Sequence, residues 1–254
     1  MDLKGKAAIV TGSSSGVGRA TALRLARRGC AVLINYSRSR DAAEQVSAEV
    51  QALGVACTVV QADVSNDADC RRMVQAAQQA FGRVDVLVNN AGTTRFIEWD
   101  DLEGVQQEDW EQIFSVNVRG AFQCARAARS ALEAHGHGVI INVSSTASLR
   151  PQGSSIPYST SKAALNALTL DLARVLAPKV RVNAVAPGFI AGDWLQSGLG
   201  EGYESAKKRA ESANPLRRVC EPDDVAAAIL ALIEGGDLVT GHVLPVEGGA
   251  LLRT

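Results

Sequence analysis

Short apolar runs alternate with longer amphipathic runs along most of the chain. The apolar runs are nearly continuous in Val, Ile, Leu and Ala, which is typical of strands that are covered on both faces of a parallel sheet. The amphipathic runs predict helices, and several of them stop at a glycine, as helices commonly do. The predicted strands span residues 6–12, 30–36, 56–63, 84–92, 138–145, 180–188 and 241–249.

The regular alternation of strand and helix predicts the α/β fold class. Such chains form right-handed crossovers, which build a doubly wound sheet with helices on both faces. The sequence shows no internal repeat and no linker, so residues 1–254 are expected to form a single domain. One segment departs from the pattern: residues 191–216 are rich in Gly and Ser and lack a strand signal, which predicts a substrate lid or binding loop.

Composition and charge mainly exclude classes of function. A formal net charge of −1, with 46% hydrophobic and 21% charged residues, gives no general attraction to nucleic acid or to an anionic membrane. The five cysteines are odd in number and form no C-x-x-C motif, so we expect reduced thiols and no metal site. The sequence shows no signal peptide and no apolar stretch long enough to span a membrane, which predicts a cytoplasmic protein.

The first predicted strand ends in the stretch TGSSSGVGRA, where Gly12, Gly16 and Gly18 lead into a helix. Free backbone N–H groups and the helix dipole make such a junction an anion site, and glycines let a pyrophosphate approach the backbone. The spacing differs from the common G-x-G-x-x-G motif, and an ordinary turn is the alternative interpretation. The position after the first strand of an alternating chain favours nucleotide binding.

Two later strand ends agree with a nucleotide site. Asp63 ends the third predicted strand, where its carboxylate would accept a hydrogen bond from an adenine amino group, and the stretch NNAG (89–92) ends the fourth. Ligands of open α/β sheets bind outside the carboxyl ends of the strands, near the point where the strand order reverses. We expect the ends of the first, third and fourth strands to meet there.

The stretch PYSTSKAAL carries Tyr158 and Lys162 one helical turn apart, on the same face of a predicted helix. A solvated helix face is the simpler interpretation of this spacing. The stretch YESAK places Tyr203 and Lys207 at the same spacing, so spacing alone does not separate a functional pair from an ordinary one.

The stretches TGSSSGVG, NNAG, INVSS, YSTSK, APG and TGHVLPVEGG occur in the order and spacing of the short-chain dehydrogenase/reductase family, which the chain resembles over essentially its whole length. It looks most similar to the reductases of 3-oxoacyl thioesters and to bacterial sugar and polyol dehydrogenases. The resemblance implies a Rossmann-like fold, a nicotinamide cofactor, and hydride transfer to or from a small-molecule ketone or secondary alcohol. The family pattern also places a Ser thirteen positions before the reacting Tyr, which selects Ser145 and Tyr158 over Tyr203.

The resemblance implies a role for each catalytic residue. Tyr158 would exchange a proton with the substrate oxygen, and Ser145 would hydrogen-bond that oxygen, with Ser144 as the second choice. Lys162 would bind the nicotinamide ribose and lower the pKa of Tyr158, since one ammonium at ~5 Å and an effective dielectric of ~20 supplies roughly 3 kcal/mol. Asn117 would interrupt a long helix and hold a water linked to the Lys. The predicted cofactor-binding residues are Gly12, Ser14, Ser15, Gly16, Val17, Gly18, Arg38, Asp63, Val64, Asn90, Ala91, Gly92, Tyr158, Lys162, Pro187, Gly188 and Ile190.

The second predicted strand ends in INYSRSR, without the acid that usually binds the adenosine ribose in NAD-preferring sites. Arg38 would instead bind a 2′-phosphate through charge-assisted hydrogen bonds, so NADP(H) is favoured over NAD(H). Ser15 weakens this prediction, because many NADP-preferring relatives carry a basic residue in the glycine loop.

Two alternative functions stay open. One is a sugar, polyol or other alcohol dehydrogenase of the same family. The other is a catalytically silent dinucleotide-binding sensor or scaffold, which would not need the complete set of Ser145, Tyr158, Lys162 and Asn117. The substrate pocket is expected to be lined by the segments that follow Ser145 and Gly92 and by the lid.

The resemblance also implies a homotetramer. Its interfaces would use the helices predicted at 107–134 and 157–176, together with the C-terminal segment. The Ala-rich faces of these helices permit close helix packing, although they suit a buried helix of a monomer equally well.

Overall fold

Seven strands form one parallel sheet in the computed structural model, which describes residues 1–252. The strands are β1 (Ala7–Val10), β2 (Ala31–Tyr36), β3 (Cys57–Gln61), β4 (Val86–Asn89), β5 (Gly138–Val143), β6 (Val180–Pro187) and β7 (Val243–Val246). They lie in the order β3-β2-β1-β4-β5-β6-β7, and the strand order reverses between β1 and β4. The last two residues of the predicted domain 1–254, Arg253 and Thr254, lie outside the described residues.

Helices connect consecutive strands. The α-helices are α1 (Gly16–Arg27), α2 (Arg40–Ala52), α3 (Asp67–Phe81), α4 (Gln107–Phe114), α5 (Ala121–Glu133), α6 (Ile156–Leu176), α7 (Asp193–Leu199), α8 (Tyr203–Ala213) and α9 (Pro222–Glu234). A π-helix spans Ser115–Gly120, and short 3₁₀ turns lie at Thr146–Ser148, Gly200–Gly202 and Ala250–Leu252. Within residues 1–252, none of the helices is long and apolar enough to cross a bilayer.

The sheet has a hydrophobic core on each of its two faces. In β1, Ala8 and Val10 belong to the core that includes residues of α1, α2 and α9, whereas Ile9 between them belongs to the core of α3, α5 and α6. This alternation follows from the opposite directions of successive side chains in a strand. The predicted doubly wound α/β fold, with a seven-stranded parallel sheet covered by helices on both faces, is confirmed.

The structure differs from the predicted strands at their ends. The fourth predicted strand, 84–92, ends at Asn89, because the N–H groups of Asn90 and Ala91 donate to the Thr11 side chain at 2.9 Å. The last predicted strand, 241–249, is shorter and less covered than expected. It forms the edge strand β7, in which Leu244 is 39% exposed.

Two segments of the chain have a helical structure that the apolar pattern alone does not specify. The long helix predicted at 107–134 is interrupted around Asn117, as the family resemblance implied, by the π-helix that separates α4 from α5. The segment 191–216 is mostly helical, with α7 and α8 separated by a short turn. Gly192 and Gly200 precede and follow α7 with φ values of 142° and 51°, which explains why a Gly-rich stretch still forms a short helix between its glycines.

Candidate active site

The loop after β1 has a backbone conformation that favours glycine. Gly12 and Gly16 have φ values of 60° and 53°, in the left-handed region. A Cβ on Gly12 would lie 3.1 Å from the Cα of Ala91, and one on Gly18 would lie 2.6 Å from the Asn90 side-chain nitrogen. Nothing lies within 4 Å of a Cβ built on Gly16, so its backbone faces open space. This cradle fits a pyrophosphate, which needs close access to backbone N–H groups.

Thr11 and Asn90 fix the loop against the end of β4. The Asn90 amide donates to the carbonyl oxygens of Thr11 and Gly12 at 2.9 and 3.0 Å. The Thr11 hydroxyl, which accepts the two backbone N–H groups already described, donates to the carbonyl of Val88 at 3.3 Å. Asn90 therefore orients the glycine loop with its side chain. Thr11 was not singled out from the sequence, although it directly precedes the first glycine of the motif.

Asn35 is a second residue that the sequence analysis missed. It is 1% exposed in β2, and its side-chain oxygen accepts the N–H of Gly12 at 2.9 Å. Its amide nitrogen donates to the carbonyl of Ala62 at 3.1 Å, and its backbone N–H donates to the Ser13 hydroxyl at 2.9 Å. A buried amide has to find hydrogen-bond partners. The occurrence of an Asn in the apolar strand CAVLINY could therefore have indicated that its side chain binds a neighbouring loop.

The serines and Val17 complete the loop. Ser14 is half-buried, whereas Ser15 is exposed at the N-cap of α1. Val17, in the first turn of α1, packs against the core. The two serines thus lie between the glycines of the loop and the N-terminus of α1, and their contacts with a phosphate stay a prediction.

Arg38 lies just after β2 and is exposed. Within the described part of the chain its guanidinium forms no ion pair, whereas the neighbouring Arg40 lies 3.7 Å from the Glu44 carboxylate in α2. Asp41, the first acid after β2, belongs to the first turn of α2. Arg38 is therefore the cation at this strand end that has no carboxylate partner among residues 1–252.

Asp63 and Val64 follow β3. Asp63 is exposed, and its Oδ1 accepts the N–H and the hydroxyl of Ser65 at 2.9 and 2.8 Å. Val64 is buried against the π-helix, since a Cβ on Gly120 would lie 2.8 Å from its Cγ2. The Asp63 carboxylate is thus oriented by its neighbour and accessible at the strand end.

Pro187, Gly188 and Ile190 lie at the end of β6. The N–H of Gly188 donates to the carbonyl of Val246 at 2.9 Å, and a Cβ on Gly188 would lie 2.8 Å from the Cβ of Glu247. Ile190 forms a parallel bridge with Cys220 and packs against the core. This segment is held by β7 and by the chain that precedes α9.

Helix α6 carries Tyr158 and Lys162. It begins with Pro157 in its first turn, and the Ser155 hydroxyl caps it by accepting the N–H of Tyr158 at 3.4 Å. The Nζ of Lys162 lies 5.7 Å from the centre of the Tyr158 ring and donates to the carbonyl of Val143 at 2.8 Å. Lys162 is 4% exposed, so the carboxyl end of β5 fixes this cation beside the phenol ring.

The two serines after β5 make different contacts. The Ser145 side chain acts on the Tyr158 phenol and lowers its pKa, and its hydroxyl accepts the N–H of Ala147 at 3.2 Å. Ser144 is buried and donates to the side-chain oxygen of Asn166 at 2.6 Å. Of the two hydroxyls, the one of Ser145 reaches the phenol, and the one of Ser144 ties β5 to α6.

Asn117 lies in the π-helix and is 2% exposed. Its side chain accepts the N–H of Thr93 at 2.8 Å and donates to the carbonyl of Thr93 at 3.0 Å. It also donates to the hydroxyl of Ser161, directly before Lys162, at 3.0 Å. A Cβ on Gly92 would lie 3.5 Å from the Asn117 Oδ1 and 3.6 Å from the Lys162 Nζ. Asn117 therefore joins the segment after β4 to α6, and the absent Gly92 side chain leaves room beside both groups.

Burial shifts the pKa of both α6 residues toward the uncharged form. It lowers the pKa of Lys162 to about 8. It raises the pKa of Tyr158, and the hydrogen bond with Ser145 opposes that rise. In the protein without a cofactor, the pKa of Tyr158 is therefore raised, whereas the sequence analysis expected Lys162 to lower it. The physical reason is that desolvation of the phenol outweighs the favourable contacts of its anion.

The mouth of the site is aromatic. Trp194, at the start of α7, has its ring centre 6.1 Å from that of Tyr158 and 6.2 Å from that of Phe96. The sequence predicted the segments that line the pocket but not this contact.

Within residues 1–252 no group of three or more His, Cys, Asp and Glu side chains is arranged to hold a metal ion.

Comparisons with known proteins agree with this architecture. A family model described as Enoyl-(Acyl carrier protein) reductase matches residues 12–250. A Streptomyces violaceoruber protein named "Granaticin polyketide synthase putative ketoacyl reductase 2" is 44% identical over 245 residues, covering 96% of each chain. A 3-oxoacyl-[acyl-carrier-protein] reductase of Synechocystis sp. is 37% identical and covers 98% of each chain. The crystal structure of NAD⁺-bound xylitol dehydrogenase has a TM-score of 0.88 at 29% identity, covering 98% of this chain and 100% of that one.

The site and these similarities define a nucleotide-binding oxidoreductase with a Rossmann-like fold. The chain belongs to the short-chain dehydrogenase/reductase family. Its members use a nicotinamide cofactor, NAD(H) or NADP(H), and act on small-molecule substrates.

Proposed function

We propose that the protein reduces a ketone with NADPH, in the manner of the 3-oxoacyl reductases that it resembles, with Ser145, Tyr158, Lys162 and Asn117 as its catalytic set. The observation that carries the proposal is the position of the buried Lys162 ammonium, which donates to the Val143 carbonyl at 2.8 Å and lies 5.7 Å from the centre of the Tyr158 ring. Ser145, whose side chain acts on the pKa of the same phenol, supplies a second hydroxyl for the substrate oxygen.

The geometry assigns a task to each side chain. Ser145 and Tyr158 hydrogen-bond the carbonyl oxygen and hold it in place. The Tyr158 phenol then gives its proton to that oxygen, and the raised pKa that follows from burial keeps the phenol protonated until it is needed. A bound reduced nicotinamide would supply the hydride.

Lys162 lies beside the Tyr158 ring, and Asn117 contacts the residue that precedes Lys162. The Val143 carbonyl holds the Lys162 ammonium near the ring, where it stabilises the phenolate that remains after proton transfer. The two other ammonium protons are free to bind the ribose hydroxyls of the cofactor. Asn117 positions Thr93 and Ser161, and it stands next to Lys162 on the path by which water would return a proton.

The test is an assay of the wild-type protein with NADPH and a panel of ketones, sugars and polyols, followed by nicotinamide absorbance. We expect turnover of ketones. Polyol oxidation is the second candidate, favoured by the structural similarity to xylitol dehydrogenase, and the same panel detects it. A protein that binds the cofactor tightly but turns over no member of the panel would instead be a sensor or scaffold.

The preference for NADP(H) is supported by Arg38. This exposed cation follows β2, where no acid would repel a 2′-phosphate. We expect Arg38→Ala to raise KM for NADPH by ~10- to 100-fold, the size of a lost hydrogen bond to a charged group, and to change KM for NADH little. Arg40→Ala is the matched control, because Arg40 already pairs with Glu44. A wild-type enzyme with the lower KM for NADH would refute this preference.

A homotetramer is supported by exposed apolar residues on the elements expected at its interfaces. Phe122 in α5, Leu170 and Val175 in α6, and Leu244 in β7 are 40%, 54%, 61% and 39% exposed. Phe122 also lines a groove of about 870 Å³, whose other lining residues belong to α4, the π-helix and α6. Light scattering on the purified protein measures the mass directly, and a monomer would refute the assignment.

We also propose that the helices α7 and α8 act as a substrate lid, because α7 places Trp194 beside Tyr158. Protection of α7 from hydrogen exchange on addition of cofactor and ketone would test this role.

A cytoplasmic location stays a prediction, which fractionation of the producing cell would test.

A further inference from the structure

Aromatic residues make up 4% of the chain, yet one of them, Trp194, lies beside the phenol that would donate the proton, and a second, Phe96, packs against Trp194. Trp194 contacts both Tyr158 and Phe96, and these three rings are called the aromatic wall below. Trp194 is 51% exposed, so about half of its surface is available to a ligand. A large exposed ring beside a reacting group is a typical element of a ligand-binding surface.

The aromatic wall is held in position by the residues around it. Any side chain at Gly198 would collide with the Phe96 ring, so glycine at this position lets α7 pack directly on Phe96. On the other side, the indole N–H of Trp99 donates to the carbonyl of Gly153 at 3.0 Å. A Cβ on Gly153 would lie 3.3 Å from the Tyr158 ring, so this hydrogen bond holds the loop before α6 against the phenol.

The polar side chains next to Phe96 already have partners. Arg95 forms an ion pair with Asp109 at 2.7 Å, and the hydroxyl of Thr94 shares a hydrogen bond with that of Ser154 at 2.5 Å. A sugar or polyol needs several protein groups that can exchange hydrogen bonds with its hydroxyls. These contacts leave the wall better suited to an apolar ligand face than to a hydroxylated one.

We propose that the substrate is a planar, ring-containing ketone, with an aromatic or conjugated ring that stacks on Trp194 and Phe96 while its carbonyl reaches Tyr158 and Ser145. Aromatic pairs prefer offset or edge-to-face contacts with centroids 4.5–7 Å apart, the range in which the rings of the wall already lie. This inference rests on the proposed ketone reduction and names its substrate class.

The test compares 2-tetralone with 2-decalone, two ketones that share a bicyclic skeleton but differ in one aromatic ring. We expect Trp194→Ala to lower kcat/KM for 2-tetralone by about 10-fold, mainly through KM, and to lower it for 2-decalone much less. Trp194→Phe, which keeps a ring, should recover most of the loss. Leu238→Ala, at a fully exposed position between α9 and β7, is the control and should match the wild type.

An unchanged ratio of the two kcat/KM values in Trp194→Ala would overturn the substrate class and leave the proposed reduction intact. If the wild type reduces neither ketone, the proposed substrate class is tested by the Kd of a ligand that is not reduced. The probe is then 2-naphthol, which has no hydrogen that can leave as hydride, in the presence of oxidised cofactor. A tenfold weaker Kd in Trp194→Ala supports the aromatic wall even if the proposed reduction fails, and an equal Kd refutes it.

Discussion

Helices α6 and α8 each carry a Tyr and a Lys at the same spacing, but their surroundings differ. The hydroxyl of Tyr203 accepts the N–H of Gly192 at 3.3 Å, and its ring packs against Phe189. Lys207 lies 3.7 Å from the Glu211 carboxylate, at the surface. In α6, by contrast, the phenol meets Ser145 and the buried ammonium meets a backbone carbonyl at the end of β5.

The comparison shows what spacing can and cannot do. A separation of four residues places two side chains on one helix face. It does not decide whether that face meets solvent or the end of the sheet where a cofactor binds. The pair in α6 is distinguished by its tertiary neighbours, whereas the pair in α8 makes its contacts within and next to the helical segment 191–216.

The largest expected effect comes from exchanging each Tyr for Phe. Tyr158→Phe removes the proton donor, and we expect kcat to fall by ~10²- to 10⁴-fold, the usual contribution of a general acid. Tyr203→Phe removes a hydroxyl that contacts a backbone N–H, and its kcat should stay within about threefold of the wild type. Steady-state kinetics with one ketone measure both variants.

Cofactor binding is the control for this pair of variants. Titration with NADP⁺ should give a Kd for Tyr158→Phe within a few-fold of the wild type, because the variant removes only one of the predicted cofactor contacts and leaves the glycine loop and Arg38 untouched. Equal losses of activity in Tyr158→Phe and Tyr203→Phe would erase the distinction between the two helices.

Sequence reasoning could reach the fold and the α6 pair because their signals are local. Continuous apolar runs identify buried parallel strands, and Ser145 lies at a fixed distance along the chain from Tyr158. The contact between Trp194 and Tyr158 joins positions 36 residues apart through the packing of α7 on Phe96, and no local pattern encodes it. The pKa directions at Tyr158 and Lys162 were also out of reach, since burial that depends on the whole fold determines them.

The second comparison exchanges the two lysines for methionine. Lys162→Met removes the cation beside the phenol, and the loss of roughly 3 kcal/mol of phenolate stabilisation corresponds to about a 100-fold lower kcat/KM. It also removes the proposed donors to the cofactor ribose, so Kd for NADP⁺ should rise. Lys207→Met affects only an exposed ion pair with Glu211, worth at most about 1 kcal/mol of stability, and should keep full activity. If both variants retain activity, the ammonium in α6 has no catalytic role.

The pH dependence of stability tests the burial of Lys162. Its pKa is lowered from 10.5 to about 8 in the folded protein, so folding is penalised by the burial of the charged ammonium. The penalty is full below pH 8 and disappears above 10.5. We expect the free energy of unfolding of the wild type to rise by roughly 3 kcal/mol relative to Lys162→Met across this window. Urea unfolding without cofactor at several pH values measures the difference, and a flat difference would show that the ammonium is well solvated.

The two serines after β5 sharpen the comparison further. Ser145→Ala removes the hydroxyl that contacts the Tyr158 phenol, and we expect kcat to fall by ~10- to 100-fold with an unchanged Kd for the cofactor. Ser144→Ala instead removes a buried hydrogen bond to Asn166, so it should destabilise the protein by about 1–3 kcal/mol and lower kcat much less. A larger loss of turnover in Ser144→Ala would mean that the wrong hydroxyl has been placed at the substrate.

The smallest expected effect separates stability from catalysis in the two tyrosines. Tyr203 is 7% exposed, and its hydroxyl holds Gly192 at the start of the lid, so Tyr203→Phe should lower the free energy of unfolding by about 1 kcal/mol. Tyr158→Phe should leave stability unchanged or slightly higher, because it removes a hydroxyl that we assign to the substrate oxygen and not to the fold. Urea unfolding of the two variants side by side gives the answer. If Tyr203→Phe loses stability and keeps activity while Tyr158→Phe does the reverse, Tyr203 is the structural tyrosine and Tyr158 the catalytic one. Equal losses of stability in the two variants would mean that the Tyr158 hydroxyl contributes to the fold as much as to the reaction.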